Sequence, residues 1–489
     1  MSEPLQPSHG DYLRDESRRT GHAEQIVFPR SEEDVLAALA EARANRWPVT
    51  VQGARTGVAG GAVPEGGLIL NLSRLTAIEA AGDTLRVEPG ATLNAIRAAT
   101  PPGYFFAPDP TETTASIGGM IACNSSGALS FLHGPTRNHV LGLRVALASG
   151  EVLDLRRGRD QARGRAATLG AWQGELPALP QPAVKNAAGY FTAPDMDLCD
   201  LFIGAEGTLG IVTAATLRLL PAPAAIVGLM MFLPSTAAVV DLVNALRAGR
   251  TASPAPLAAL EYFDSRCLRF LQDRAAILAS KGIAVPALPP GAACVYAEWH
   301  APGAAAAEAA MLAAAEQLPD LGANPDACIL ADNPHELEKL KLFRHAVPEL
   351  VNAEIDERRR QHPGIIKLGT DMSVPDDHLA DVCALYERDL AATGLDHLIF
   401  GHIGANHLHV NILPRNADDY AAGRELYARW AAQIIAWGGS ISAEHGIGKL
   451  KRDLFRQMAG EKAIADMRKL KQHLDPTGLL NPGTLLPAP

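Results

Sequence analysis

The chain has 489 residues, a formal net charge of −10 and an isoelectric point near 5.8, and this length suggests about three domain-sized units. Hydrophobic residues make up 47% and charged residues 20%, which is typical of a globular protein and excludes a disordered or fibrous chain. The acidic balance argues against nucleic acid as a partner, because phosphate binding needs a basic surface.

The N-terminal sequence contains no apolar segment of the kind found in signal peptides, and no run of eighteen apolar residues follows it. The six cysteines are scattered and lack CxxC spacing, so we interpret them as reduced thiols rather than a disulfide framework or a cysteine zinc site. We therefore expect a cytoplasmic protein without a transmembrane segment, with peripheral contact at a membrane left open.

The first predicted elements are a helix and a strand. Ser31 is a suitable N-cap, acidic residues follow it, and Val35 and Leu39 have helical spacing. A strand is expected at about 49–52. The β-like runs LILNL and TLRVEP come next, so this half of the chain is predicted to be mixed α and β.

Three glycine-rich loops interrupt the first half of the chain. The first, GARTGVAGG, begins at Gly53 and fits neither the Walker pattern nor GxGxxG. It can present backbone N–H groups to an anion, although a plain turn explains it equally well. Small residues and paired glycines recur in 108–138 and again in 204–213. Three such loops indicate a large cofactor that is enclosed by backbone.

The second half, from about 222, alternates apolar β-like runs with alanine-rich helices. This pattern predicts an antiparallel sheet covered by helices. The segment 356–364, DERRRQHPG, is predicted to be a surface loop.

The segment GHIGANHLHVN places three histidines within eight residues. Period-two alternation puts His407, His409 and Asn411 on one face of a strand, and a turn before them could bring His402 to the same face. A water-exposed strand is the alternative. A carboxylate for a metal site is available at Glu444, and imidazoles with a carboxylate suit zinc, manganese or ferrous iron.

Taken together, the first loop, the PDP and NSSG segments and GAEGTLGIVT resemble the FAD-binding domain of the vanillyl-alcohol oxidase type flavoproteins. The C-terminal half resembles the FAD-linked 2-hydroxyacid dehydrogenases, which include D-lactate dehydrogenase, the glycolate oxidase catalytic subunit and D-2-hydroxyglutarate dehydrogenase. The resemblance implies an α+β fold with a two-lobed FAD-binding domain (1–221), an antiparallel-sheet substrate or cap domain covered by helices (222–435), and a C-terminal segment (436–489) that packs back on the FAD domain.

The resemblance also implies which residues line FAD. They are Gly53, Ala54, Arg55, Thr56, Gly57, Gly60, Gly61, Pro108, Thr111, Ser116, Gly118, Gly119, Asn124, Gly127, Glu206, Gly207, Gly210, Ile211 and Asn481. Some relatives bind flavin covalently through a histidine in the first loop. Because Thr56 stands at the corresponding place, we expect noncovalent FAD.

The pattern GHxGxxxLHxN of these dehydrogenases supplies two metal-binding histidines, which match His402 and His409, and the later EHG supplies a glutamate, which matches Glu444. By the same resemblance His445 is the catalytic base. Arg344, Lys367 and Asn411 are the expected substrate-binding residues. A carboxylate suits the fork of arginine and the point charge of lysine, and Arg55 and Arg137 are weaker candidates.

Two positions depart from the family. Relatives often have Asp-Gly-Asn between the two histidines, where this chain has Ala405, Asn406 and His407. His407 could be an extra ligand, a hydrogen-bond partner of a ligand or a bystander, and we favour the last two. The second departure is Pro348, which follows Arg344 where the commonest relatives lack a proline. It bears on the wall of the substrate pocket.

The expected reaction is oxidation of a D-2-hydroxy acid to the 2-oxo acid by hydride transfer to flavin, with metal-assisted removal of the hydroxyl proton. D-lactate is the favoured substrate, and D-2-hydroxyglutarate and glycolate are the alternatives. A metal-dependent hydrolase that uses the same cluster is a rival from another class, and it leaves the glycine loops unexplained. A flavin-bearing subunit without its own turnover is a third hypothesis.

Reduced flavin must pass its electrons onward. No cysteine pattern for an iron–sulfur cluster is present, so we expect an external acceptor, namely a quinone, a cytochrome, an electron-transfer flavoprotein or oxygen. A homodimer is one candidate assembly.

Overall fold

The computed structural model describes residues 2–487. Its α-helices, in chain order, are α1 (Glu32–Asn45), α2 (Leu93–Ala99), α3 (Ile117–Cys123), α4 (Ser130–His133), α5 (Thr236–Gly249), α6 (Ser265–Asp273), α7 (Ala275–Ser280), α8 (Ala304–Ala315), α9 (Pro334–Arg359), α10 (Leu379–Thr393), α11 (Ala417–Ala436) and α12 (Arg452–Leu474). The backbone of α12 breaks at Gly460, where φ is 80°. Among these helices, none is both long and apolar enough to cross a bilayer.

The strands of the first half are β1 (Glu3–Pro4), β2 (Gln25–Val27), β3 (Val49–Gln52), β4 (Leu68–Asn71), β5 (Ile78–Ala81), β6 (Thr84–Val87), β7 (Tyr104–Phe105), β8 (Val140–Ala146), β9 (Val152–Arg156), β10 (Ala166–Leu169), β11 (Trp172–Glu175) and β12 (Ile211–Arg218). Those of the second half are β13 (Leu220–Pro221), β14 (Ala225–Leu233), β15 (Leu257–Phe263), β16 (Ala293–Ala301), β17 (Ile329–Ala331), β18 (Leu368–Gly369), β19 (Met372–Ser373), β20 (His397–His402) and β21 (His407–Ile412).

Two main sheets form the first half. The smaller has the order β1-β2-β4-β3, and β2, β4 and β3 run parallel. Helix α1 packs on it through Val35 and Leu39, and the Ser31 side chain accepts a hydrogen bond from the Asp34 N–H, so the predicted N-cap is confirmed. The second sheet is antiparallel with the order β5-β6-β12-β8-β9.

An eight-stranded antiparallel sheet dominates the second half, with the order β17-β14-β16-β15-β20-β21-β18 and β19 paired with β21. Alternate residues of its strands enter two different cores. Leu229 and Met231 of β14 pack in the core that includes α5 and α8, whereas Met230 and Phe232 pack with α6 and α9. The predicted antiparallel sheet covered by helices is therefore confirmed, with helices on both faces.

The loop predicted at 356–364 is partly wrong, because α9 continues to Arg359. Arg358 lies within this helix and forms ion pairs with Glu354 and Asp396. The i,i+4 pairing with Glu354 supports the helix at a place where the sequence shows only a run of charges.

The C-terminal segment contacts the first half of the chain. Leu480 forms a parallel bridge with Val49, and the Glu206 carboxylate accepts hydrogen bonds from the backbone N–H groups of Ile447 (2.8 Å) and Gly448 (2.7 Å). These contacts are consistent with packing of this segment on the first half. The domain boundaries at 221/222 and 435/436 stay predictions.

Candidate active site

The hairpin of β20 and β21 carries the histidines. His402 pairs directly with His407 across the two strands, and Asn406 closes the turn between them in the left-handed region, with φ of 51°. Leu408, Val410 and Ile412 enter the hydrophobic core, as the alternation predicts. The strand is not exposed to water, because every residue of β21 except the half-buried His409 is buried.

Glu444 lies against this histidine face. His402 Nε2 is 3.3 Å from Glu444 Oε2, and His409 Nε2 is 3.2 Å from Glu444 Oε1. His407 Nδ1 is 4.0 Å from Oε2. The structure thus brings together the three residues predicted to bind metal, with His407 beside them.

Two residues from the first half also reach the Glu444 carboxylate. Lys185 Nζ donates to Oε2 at 2.9 Å, and Ser126 Oγ donates to the same atom at 3.1 Å. Burial alone would raise the pKa of the Glu444 carboxyl, but Lys185 and His402 outweigh this effect and hold the pKa well below its ordinary value. Glu444 is therefore an anion held among cationic and nitrogen donors.

The outward-facing nitrogens of the two predicted ligands are also fixed. His402 Nδ1 is 2.8 Å from the Glu261 carboxylate, and His409 Nδ1 is 3.0 Å from the Thr370 carbonyl oxygen. A carboxylate or carbonyl at this place fixes the tautomer of a metal-binding imidazole and leaves the other nitrogen free for the ion. The donor set and its surroundings therefore fit a divalent metal.

Asp371 fixes the segment that carries Glu444 and His445. Its carboxylate accepts hydrogen bonds from the backbone N–H groups of Glu444 (3.1 Å) and His445 (3.0 Å), from Ser442 Oγ (2.8 Å) and from Lys451 Nζ (2.6 Å). Asp371 has no exposed surface. This buried acceptor sets the direction in which the two neighbouring side chains leave the backbone.

His445 faces the cavity between Asp371 and Glu444. Its Nδ1 is 3.5 Å from Asp371 Oδ2, and its Nε2 is 3.6 Å from Glu444 Oε1. About a third of the side chain (34%) is exposed, yet desolvation within the protein lowers the pKa of His445 to about 4. The imidazole is therefore neutral at pH 7 and can accept a proton.

One cavity of about 1230 Å³ joins the histidine cluster to the glycine-rich loops. His402, His409, Glu444 and His445 line it. Most of the predicted cofactor residues line it too, and they are Gly53, Ala54, Arg55, Thr56, Gly57, Gly61, Thr111, Ser116, Gly118, Gly119, Gly127, Glu206, Gly207, Gly210, Ile211 and Asn481. The volume is sufficient for a dinucleotide.

Two glycines show why these loops lack side chains. A Cβ on Gly53 would lie 2.1 Å from Ser116 Oγ, and a Cβ on Gly207, where φ is 68°, would lie 2.6 Å from Asn481 Nδ2. Asn481 in turn accepts from the Val51 N–H and donates to the Glu206 carbonyl oxygen. The loops therefore approach one another closely along the wall of the cavity.

Three predicted cofactor residues do not line this cavity. Gly60 and Pro108 lie outside it, and Asn124 lines a second cavity of about 620 Å³. The Asn124 side chain accepts a hydrogen bond from the Arg137 N–H. Arg137 donates to the carbonyl oxygens of Asp200 and Ile203, so the structure gives it a role in the fold rather than at the main cavity.

The predicted substrate-binding residues Arg344, Lys367 and Asn411 all line the main cavity, as does Pro348. The Arg344 guanidinium lies 4.2 Å over the Tyr296 ring. Within residues 2–487, neither Arg344 nor Lys367 forms an ion pair at 4.0 Å or less with a carboxylate. Both cations thus remain available to an anionic ligand.

Several site residues were missed from the sequence, namely Ser126, Lys185, Glu261, Thr370 and Asp371. Lys185 and Asp371 stand in "VKNAAGYF" and "LGTDMSVP", which have no metal-ligand or catalytic spacing. The one available signal for Asp371 was a single acidic residue in an otherwise uncharged segment.

Family models match both halves of the chain. The model "FAD linked oxidases, C-terminal domain" matches residues 222–485, more than half of the chain, and "FAD binding domain" matches residues 23–156. The chain belongs to the FAD-linked oxidases. Its fold is the α+β, vanillyl-alcohol oxidase type fold, and FAD is its cofactor, as predicted.

Curated relatives extend over nearly the whole chain. D-2-hydroxyglutarate dehydrogenase of Xanthomonas citri pv. viticola is 33% identical over 99% of this chain and 93% of its own length. Probable mitochondrial D-lactate dehydrogenase of Danio rerio is 30% identical over 99% and 88%, and glycolate oxidase subunit GlcD of Bacillus subtilis is 29% identical over 94% and 88%. This FAD-linked oxidase is therefore an FAD-dependent 2-hydroxyacid dehydrogenase.

Solved structures of alkyldihydroxyacetonephosphate synthase share the fold. One has a TM-score of 0.65 at 15% identity and covers 95% of this chain and 77% of that chain. A second crystal form of this synthase gives a TM-score of 0.61 at 14% identity. Identity at this level supports the architecture alone.

We expect Asp371→Asn to destabilise the enzyme, because an amide would turn N–H groups toward donors and leave the Lys451 ammonium buried without a counter-ion. Removing one partner of a buried pair costs about 3–5 kcal/mol. The melting temperature and the visible flavin spectrum measure the effect. The double variant Asp371→Asn/Lys451→Met should recover part of the loss, and a single variant that melts like the wild type would contradict this role.

Proposed function

We propose that this dehydrogenase oxidises D-lactate to pyruvate in the main cavity. The supporting observation is that one cavity contains the glycine-rich loops, the histidine and glutamate cluster and two cations without carboxylate partners. The apolar side chains of Pro348, Ile366 and Phe400 line the same cavity, and they suit a substrate with a methyl group.

D-2-hydroxyglutarate is the second candidate. The Xanthomonas relative carries that name, and Arg344 and Lys367 provide two cations, one for each carboxylate of a dicarboxylic substrate. Glycolate, which has no side chain, would leave the apolar wall without a contact.

We further propose that His402, His409 and Glu444 hold a divalent zinc, manganese or iron ion. The arrangement that supports this is the pair of imidazoles whose Nε2 atoms face Glu444 while their Nδ1 atoms are held by Glu261 and the Thr370 carbonyl. A divalent ion at these ligands would lower the pKa of a substrate hydroxyl.

In the proposed mechanism, Arg344 and Lys367 bind the substrate carboxylate, and Asn411 contacts the substrate from β21. His445 Nε2 takes the hydroxyl proton, while Asp371 beside Nδ1 stabilises the imidazolium that forms. FAD, which the glycine-rich loops would hold noncovalently, would supply the redox chemistry and take up the α-hydrogen with its electron pair. The substrate would leave as the 2-oxo acid, with its hydroxyl proton on His445 and its two electrons on the flavin.

The rival hydrolase does not account for the FAD-binding family match. A flavin subunit without turnover would not need the neutral His445 beside Glu444. The electron acceptor, the homodimer and the cellular location stay predictions.

The direct test is steady-state oxidation of D-lactate, D-2-hydroxyglutarate and glycolate by the purified yellow protein with an artificial dye. We expect the highest kcat/KM for D-lactate and at least tenfold less for L-lactate. A higher value for D-2-hydroxyglutarate would select the second candidate, and no flavin bleaching by any of the three would overturn the proposal.

We expect His445→Ala to lower kcat by roughly a hundredfold to ten-thousandfold, the range typical of a lost general base, with the flavin spectrum retained. His473→Ala, which removes an exposed histidine of α12, is the matched control. Full dye reduction by a yellow His445→Ala enzyme would exclude His445 as the base.

The charge of Lys367 is expected to set an upper pH limit on substrate binding. Burial, together with the nearby Arg18, lowers the pKa of Lys367 to about 8. Below that pH the ammonium is charged and binds carboxylate, and above it the charge is lost. We therefore expect kcat/KM to fall with rising pH above about 8, by up to about tenfold per pH unit.

The control for this limit is Lys367→Arg, whose guanidinium stays charged throughout. Its profile of kcat/KM against pH, measured with D-lactate, should lose the fall near pH 8 even if its absolute activity is lower. An unchanged fall in the variant would assign the limit to another group.

A further inference from the structure

His407 is the residue of the cluster whose role the sequence pattern leaves open. It has no exposed surface, and its ring centroid lies 4.3 Å from that of His409 and 5.5 Å from that of His402. One donor atom from each of His402, His407, His409 and Glu444 can be chosen so that all four lie within 4.8 Å of one another. This spacing is compatible with one shared ion.

The oxygen atoms around His407 are placed much as they are around the two predicted ligands, although its Nε2 approaches Asp371 without a well-aligned hydrogen bond. Its Nδ1 lies on the Glu444 side, 4.0 Å from Oε2, and its Nε2 is 3.1 Å from Asp371 Oδ1. His402 has Glu261 at its outward nitrogen, and His409 has the Thr370 carbonyl. All three imidazoles therefore have one nitrogen toward Glu444 and the other beside an anionic or carbonyl oxygen, the arrangement usual for metal-binding histidines.

Without a metal ion this arrangement is unfavourable for His407. Neither ring nitrogen of His407 makes a hydrogen bond of acceptable geometry with any residue that the structure describes. A neutral imidazole carries one proton, so one of its lone pairs must face the carboxylate of either Glu444 or Asp371. Glu444 Oε2 already accepts hydrogen bonds from Lys185 and Ser126, so the atom without a partner is His407 Nδ1. A buried acceptor without a donor costs free energy, and an ion bound by Nδ1 and Glu444 would remove that cost.

We propose that His407 is a third imidazole ligand, so that three histidines and Glu444 hold the ion. This inference rests on the metal site proposed above and deepens it. Imidazole suits zinc and iron, whereas carboxylate and water suit manganese. The nitrogen-rich set therefore selects zinc or ferrous iron over manganese and holds the ion more tightly than two histidines would.

The first measurement is X-ray absorption at the edge of the metal that elemental analysis finds in the purified flavoenzyme. Three imidazoles in the metal's coordination sphere support the proposal. Two imidazoles overturn it and leave His407 as a neighbour of the ligands. This measurement uses the wild-type protein and does not depend on the folding of a variant.

The second measurement compares His407→Asn with the wild type during dialysis against a chelator, with metal and FAD content followed together. We expect the variant to lose metal at least about tenfold faster while it retains FAD, and to shift its preference from zinc toward manganese. His397→Asn, a histidine at the far end of the same hairpin, is the control and should behave like the wild type.

The outcomes separate the two proposals. Metal that is present but is lost equally fast from His407→Asn and the wild type overturns the role of His407 alone. Active enzyme without bound metal overturns the metal site as well, and then Lys185 is the cation that balances Glu444.

Discussion

The site depends on one buried carboxylate, that of Asp371. It lies between β18 and β19 and accepts four hydrogen bonds from the segment 442–451, two of them from the backbone of Glu444 and His445. Because Thr370, the preceding residue, accepts a hydrogen bond from His409 through its carbonyl, the same stretch of chain orients a proposed metal ligand and the proposed base. A displacement of this stretch would disturb both.

Charge balance explains why so many ionisable groups can share the interior. Glu444 is paired with Lys185, and Asp371 is paired with Lys451. Burial without these partners would raise the pKa of both carboxyl groups and favour their protonated forms. Such a cluster stabilises the fold little compared with apolar packing. Its position at the wall of the main cavity is consistent with the proposed roles of holding a metal ion and a neutral base.

The sequence predicted the parts of the site that have a local signature. Alternation in the 407–412 segment determined which histidines share a face, because side chains of a strand point to opposite sides by geometry alone. Ser31 and the 49–52 strand were likewise readable from capping and β-like pattern. The glycine-rich loops and the EHG motif supported the family resemblance, and with it FAD and the main lining residues.

Tertiary structure decided what no local pattern encodes. Lys185 and Ser126 reach Glu444 across 259 and 318 residues of sequence, and Glu261 reaches His402 across 141. A single lysine or glutamate has no periodicity that would announce such a contact. The last turn of α9, which contains Arg358, was also hidden, since it follows the last buried apolar residue of the helix, Ile355, and is supported by ion pairs. The sequence by itself therefore determined several of the elements and the candidate ligand residues, while packing of distant segments determined their partners and charge states.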